Sequence, residues 1–358
     1  MSLIDFLWYR KKGLTNTLCV LPLLPLSFLY RSITAVRRCM YAKGIKKSGA
    51  PAVAVVVIGG VTVGGSGKTP LCTALLRQLK KDGYTPGLLS RGYKGSSEHY
   101  PLLVESDSDV SECGDEPLLI KRALGDDAVV VVDPVRVRGA EYLSSQGVDV
   151  IVTDDGLQHY ALERDVEVIV LDGARMLGNR RLMPAGPLRE GVWRLDTVDA
   201  IVVNGSNIAD PRYFVMKLEP SAPKSLGKDK NMTITPGSQV CAMAGIGNPQ
   251  RFDRTLESLG YEVAAAIKVP DHGRVNLGII KTKAAEYPVV MTAKDAVKYG
   301  DEVLENCFVV EIEAKLSPLF YERIRDKIKR SCNRIQNRAD FGRSRKETAV
   351  STRDEKNQ

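Results

Sequence analysis

Residues 53–70 read VAVVVIGGVTVGGSGKTP, and the fold class follows from this stretch. The β-branched run Val53–Ile58 is continuous rather than alternating, as in a strand covered on both faces. The glycine turn behind it closes with Gly64-Gly65-Ser66-Gly67-Lys68-Thr69, the end of the G-x-x-x-x-G-K-[ST] pattern, with Thr62 in place of its first glycine. A helix is predicted over Pro70–Lys81. In such a strand–turn–helix, glycines let backbone N–H groups turn inward on phosphates, and the helix N-terminus favours negative charge. Lys68 then reaches the β/γ oxygens, and the Thr69 hydroxyl serves magnesium. Thr62, Val63, Gly64, Gly65, Ser66, Gly67, Lys68 and Thr69 are the expected nucleotide-phosphate loop.

Outward from this loop, similar apolar runs recur at Thr85–Leu89, Ala128–Val132, Val148–Thr153, Val166–Leu171 and Ala200–Val203, separated by longer mixed segments. That rhythm predicts an α/β, P-loop NTPase-like, doubly wound parallel sheet. Residues 205–235 show no period and read as a linker. A second, smaller α/β lobe follows, with strands at Gln239–Ala244, Glu262–Ala266, Val289–Thr292 and Cys307–Ile312 and a helix at Pro249–Leu259. The predicted organisation is an N-terminal segment 1–50, a P-loop lobe 51–215, a second lobe 216–330 and a disordered, solvated tail 331–358.

The net charge of +8 is localised. Residues 1–50 hold nine Lys/Arg against the single acid Asp5, and the rest of the chain is balanced. Within that basic segment, residues 13–30 (GLTNTLCVLPLLPLSFLY) carry no charge, and Trp8, Tyr9, Phe28 and Tyr30 lie near the ends of the run. Basic residues around an apolar run suit an anionic membrane surface, whereas nucleic acid would call for charge spread over a folded face. Pro22 and Pro25 interrupt a simple span. Residues 3–40 are read as helical and lying in the interface, with a buried N-terminal hairpin as the alternative. No small-residue cleavage site ends the run, which argues against a signal peptide. The seven cysteines are scattered without a C-x-x-C pair, so neither a disulfide framework nor a zinc site is indicated, and the soluble part reads as cytoplasmic.

Phosphoryl transfer needs carboxylates near the metal, cations for the phosphate oxygens and an acceptor for the hydroxyl proton. The acidic candidates are Asp154-Asp155 after the Val148–Thr153 strand, Asp172, and Asp115-Glu116 in GDEP. The cationic candidates are Arg91 in SRGY, Arg136, and Arg189 in PAGPLRE. Of the three histidines, His99, His159 and His272, the last follows Asp271 in a loop suited to a proton acceptor.

In order along the chain, TVGGSGKTP, LLSRGYKG, GDEP, VTDDGLQHYALERD, MPAGPLRE, AGIGNPQRF, PDH and MTAKDAVK resemble the tetraacyldisaccharide 4'-kinases, the lipid A 4'-kinases of Gram-negative bacteria. The similarity covers residues 5–312. It implies two α/β/α lobes joined by a hinge, ATP and Mg2+ as cofactors, and an acylated disaccharide lipid as substrate. It also implies work on the cytoplasmic face of the inner membrane, as a peripheral or monotopic protein without a nucleic-acid partner. By that resemblance Asp115 is the base on the sugar hydroxyl and His272 its support. Asp154, Glu190 and Thr69 lie near the metal, Asp155 joins Asp154 in the second acidic motif, and Arg136 and Arg189 hold phosphate charge. Gly273-Arg274 stand where the family often has a second histidine, and Gly60 where it has an asparagine. The rival class is a P-loop GTPase or metallochaperone, for which Thr292-Ala293-Lys294-Asp295 would read guanine.

Overall fold

The computed structural model describes residues 3–9, 13, 18–205, 210–245, 249–269, 273–300, 302 and 304–354. Helix α1 (Leu3–Tyr9) and, beyond a 3-10 turn at Leu21–Leu23, helix α2 (Leu24–Ala42) precede the first lobe. That lobe runs β1 (Ala54–Gly59), α3 (Lys68–Lys81), β2 (Pro86–Ser90), β3 (Leu102–Leu103), α4 (Val110–Cys113), α5 (Asp115–Leu124), β4 (Val129–Val132), α6 (Arg136–Ser145), β5 (Val150–Thr153), β6 (Val166–Asp172), β7 (Ala200–Asn204) and β8 (Tyr213–Pro220). Strands β8-β7-β6-β1-β5-β2-β4 lie parallel in that order, and β3 caps the β4 edge antiparallel.

Both faces of β1 are covered, which is why its sequence does not alternate. Ala54, Val56 and Ile58 join Leu71, Leu75 and Leu79 of α3 on one side. Val55 and Val57 join Ala140 and Leu143 of α6 on the other. Each such Val, Ile or Leu contributes about 1.5–3 kcal/mol on burial.

The second lobe holds β9 (Lys224–Ser225), β10 (Gln239–Ala244), α7 (Pro249–Ser258), β11 (Glu262–Lys268), α8 (Leu277–Glu286), β12 (Val289–Thr292), α9 (Ala293–Ala296) and β13 (Cys307–Val310). Its sheet order is β11-β10-β12-β13-β9, parallel except for β9. The chain then returns to the first lobe: β14 (Ile312–Lys315) lies antiparallel on β8, and α10 (Pro318–Asp354) covers the sheet.

Three expected boundaries shift. The stretch 205–235 is not all linker, because β8 extends the first sheet and the second lobe starts after Pro220. The second lobe does not run to 330. The predicted strand Cys307–Ile312 breaks at Glu311, and the chain changes sheets there. Nor does a solvated tail begin at 331. Phe320, Ile324 and Ile328, each 0% exposed, form an i, i+4, i+8 stripe on the core, and the helix itself extends to Asp354. Ser331 is still buried, and Arg334 pairs with Asp165.

Leu18–Ala42 is long and apolar enough to cross a membrane by length and composition. Its sides differ. Leu18, Leu26, Leu29, Ile33 and Val36 are each more than half exposed, whereas Val20 and Ser27 are buried against the lobe.

Candidate active site

The site gathers at the C-terminal ends of the parallel strands, where open α/β sheets bind ligands. The phosphate loop joins β1 to α3, and Gly67 caps the helix with φ +94°. A Cβ there would stand 2.8 Å from Asn204 Nδ2 and 2.9 Å from Met216 Cε, so only glycine fits. Asn204, ending β7, donates to the Ser66 carbonyl at 3.1 Å. On the other side the PAGPLRE segment lies along the loop: Val63 N–H donates to Pro187 O at 2.9 Å and Arg189 N–H to Val61 O at 2.7 Å.

Strand β5 is the direct neighbour of β1, with Thr153 opposite Val57, so Asp154 and Asp155 arrive beside the loop. Asp155 Oδ1 lies 3.7 Å from Lys68 Nζ, and its Oδ2 accepts from Arg189 Nη1 at 2.7 Å. Burial alone would raise the Asp155 carboxyl, but Lys68 and Arg189 outweigh it and hold it below its usual range. Asp154 is 4% exposed, and burial, followed by the Glu116 carboxylate, pushes it up. Two adjacent carboxylates are thus driven apart by their surroundings, a pattern of divided acid–base roles. Gly156 makes the turn close: a Cβ would come within 2.2 Å of Thr153 Oγ1 and 3.1 Å of Arg136 Nη1. Arg136 is buried and donates to the Asp154 carbonyl at 2.5 Å. Burial lowers its guanidinium to about 10, still a cation at neutral pH.

Asp115 opens α5 and is half-buried at the helix N-terminus. The SRGYKG loop leads up to it, tied to α4 by Ser96 N–H on Ser111 O at 2.9 Å, and Arg91 stands exposed at the end of β2. Glu116 is near enough to Asp154 to push its carboxyl up, and lies 3.5 Å from Lys294 of α9. The GDEP helix therefore touches both the β5 carboxylates and the second lobe. Asp271 and His272 lie outside the described residues. The adjoining Gly273 carbonyl accepts from Lys298 Nζ at 3.0 Å. Asp172 spends Oδ1 on the N–H groups of Ala174 and Arg175, a local turn.

The donors suit a magnesium–nucleotide. Ser66 Oγ, Thr153 Oγ1, Asn204 Oδ1 and two nitrogens of Arg136, on the phosphate loop and at or just beyond the C-terminal ends of neighbouring strands, are buried without a hydrogen-bond partner among the described residues. No group of three or more His, Cys, Asp or Glu able to hold a metal occurs among the described residues. Magnesium does not require one, since it keeps waters and takes one or two carboxylates plus substrate phosphates. Thr69 and Asp154 fit that set. Glu190 does not: Oε2 accepts from Arg194 Nε at 3.0 Å and Oε1 from the Tyr160 hydroxyl, and the residue is 7% exposed. Its carboxylate is held in a buried network with Arg194 and Tyr160.

The family model described as Tetraacyldisaccharide-1-P 4'-kinase matches residues 19–329. This chain belongs to that family. Curated tetraacyldisaccharide 4'-kinases from Shewanella sp. MR-4 and Vibrio parahaemolyticus are each 42% identical over 328 residues, covering 91% of this chain and 95% and 97% of theirs. The solved structure of the Aquifex aeolicus LpxK, described as an apo form in complex with ATP, superposes with a TM-score of 0.72 at 28% identity. It covers 87% of this chain and 99% of that one. One residue packed on the phosphate loop, Asn204, was missed by the motif reading. Asn204 could have been found from its place at the C-terminal end of a parallel strand, where acids were sought but amides were not.

Proposed function

We propose that this kinase transfers the γ-phosphate of ATP to the 4'-hydroxyl of tetraacyldisaccharide 1-phosphate at a membrane surface. The observation that carries the reading is the Lys68–Asp155–Arg189 cluster, at 3.7 and 2.7 Å, beside the glycine turn. A nucleotide-binding lysine, an ionised carboxylate and a second cation meet there at one point. Magnesium, when bound with ATP, neutralises phosphate charge; Thr69 and Asp154 would hold it. Lys68 grips the terminal phosphates, and Arg189 and Arg136 stabilise charge on the transferred group, with Arg91 at the mouth. Asp115 takes the hydroxyl proton. A free aspartate near pKa 4 is a weak base, so His272, from the second lobe, supports it when the lobes close and exclude water.

The exposed apolar stripe of α2, flanked by Arg31, Arg37, Arg38 and Lys43, is read as the face that rests in an anionic membrane. It would hold the site at headgroup depth on the cytoplasmic side of the inner membrane, with no role for nucleic acid. The GTPase alternative is disfavoured by Asp295, which is 0% exposed and committed to Gly245, Thr292 and Lys298. A guanine-reading aspartate must face its ligand.

The test is incubation with ATP, Mg2+ and tetraacyldisaccharide 1-phosphate, followed by mass spectrometry of the lipid. One added phosphate is expected. Nucleotide hydrolysis with no change in lipid mass would defeat the reading.

A further inference from the structure

The segment that carries Arg189 is held from two sides. The phosphate loop grips it from within, and the N-terminal helices grip it from without. Ser27 Oγ donates to the Leu182 carbonyl at 2.9 Å and accepts from Ala185 N–H at 3.0 Å. Tyr30 donates its hydroxyl to the Arg189 carbonyl at 3.0 Å. From α1, Trp8 Nε1 donates to the Pro184 carbonyl at 3.0 Å, and the Trp8 carbonyl accepts from Asn179 N–H at 2.8 Å.

An anchor needs none of these contacts. A helix retained only for lipid would be apolar around its circumference or polar toward water. Here Leu26, Leu29, Ile33 and Val36 of α2 are exposed, whereas Ser27 and Tyr30 face the lobe. Their bonds end on backbone groups at both ends of one loop. At the far end of that loop the Arg189 side chain ends on Asp155 and Asp155 on Lys68. The contacts run unbroken from the membrane helix to the phosphate-binding lysine.

We propose that Ser27 and Tyr30 are positioning residues for phosphoryl transfer, fixing the Arg189 backbone so that its guanidinium meets Asp155 beside Lys68. The N-terminal segment then sets the geometry of the reacting end as well as the location of the enzyme. This rests on the reading of Arg189 as a ligand of phosphate charge.

Contiguity alone does not demonstrate coupling, and a double-mutant cycle does. Full-length Tyr30→Phe, Arg189→Ala and the double variant are assayed on tetraacyldisaccharide 1-phosphate dispersed in detergent micelles, where no bilayer need be found. Flotation on phosphatidylglycerol-containing vesicles is scored in parallel. Tyr30→Phe should lower kcat about fivefold, the scale of one lost hydrogen bond. The KM for ATP and vesicle flotation should stay unchanged, and the double variant should be no slower than Arg189→Ala. Ser27→Ala, which removes the other two bonds, should follow Tyr30→Phe. A Tyr30→Phe kcat equal to wild type, or losses that multiply in the double variant, would overturn the proposal while leaving Arg189 in place. Full turnover by Arg189→Ala would instead remove the reading of Arg189 itself, and the proposal with it.

Discussion

Lys298 and Asp295 meet at 2.9 Å inside the second lobe, 6% and 0% exposed. Asp295 also accepts from Gly245 N–H at 2.7 Å and from the Thr292 hydroxyl at 2.7 Å, and Lys298 donates to the Gly273 carbonyl. One ion pair thus pins the end of β10 and the loop entering α8. Removing one partner of a buried pair strands the other charge, which costs about 3–5 kcal/mol, whereas removing both costs far less. Asp295→Ala should therefore lose about that much stability in urea denaturation, and Asp295→Leu with Lys298→Met should recover most of it. Equal losses in the single and double variants would count against the pair as the source.

Asp115→Asn keeps the size of the side chain and removes the base. A positioned general base contributes about 10²- to 10⁴-fold, so kcat should fall by that order. Because Asp115 sits on α5 and not on the phosphate loop, displacement of a fluorescent ATP analogue should be unchanged within about twofold. Turnover close to wild type would remove Asp115 from the mechanism.

The phosphate loop offers a matched pair of substitutions. At Gly67 an alanine meets both the left-handed φ of +94° and the Asn204 amide at 2.8 Å. The left-handed conformation alone costs a non-glycine residue about 1–2 kcal/mol. At Gly65 a Cβ has nothing within 4 Å and no left-handed φ to contend with. Gly67→Ala should weaken ATP binding by about tenfold or more, and Gly65→Ala by much less. Calorimetric titration of both measures the contrast; identical affinities would show that the turn does not depend on its glycine geometry.

Strands buried on both faces were legible because burial on both sides leaves a continuous apolar run, as at Val53–Ile58, and the phosphate loop because glycine, lysine and threonine have fixed offsets. Edge elements were not. β8 has only one buried residue, Met216, and β14 only Ala314, so neither shows the density of a central strand. Helix α10 was hidden because its three anchors, Phe320, Ile324 and Ile328, precede the polar stretch that was read as tail. The surroundings of Glu190 were hidden for a different reason: a motif gives proximity in sequence, but which way a carboxylate turns is decided by partners such as Arg194 and Tyr160, which no local spacing reveals.

His159 gives the chain a built-in acid sensitivity. Burial, then the nearby cations Arg136, Arg91 and Arg37, lower its imidazole from 6.5 to about 4. The folded chain therefore binds this proton less tightly than the unfolded chain does. Its contribution to stability is complete above pH 6.5 and is lost as the pH falls from there toward 4. Because solvent still reaches the half-buried ring, the loss is about 2 kcal/mol, below the full value of the shift. His159→Gln cannot take up the proton, so its urea midpoint should fall less steeply than that of wild type between pH 6.5 and 4.5, with the two curves parallel above pH 7. Parallel curves across the whole range would mean that the ring is free to protonate in the folded state.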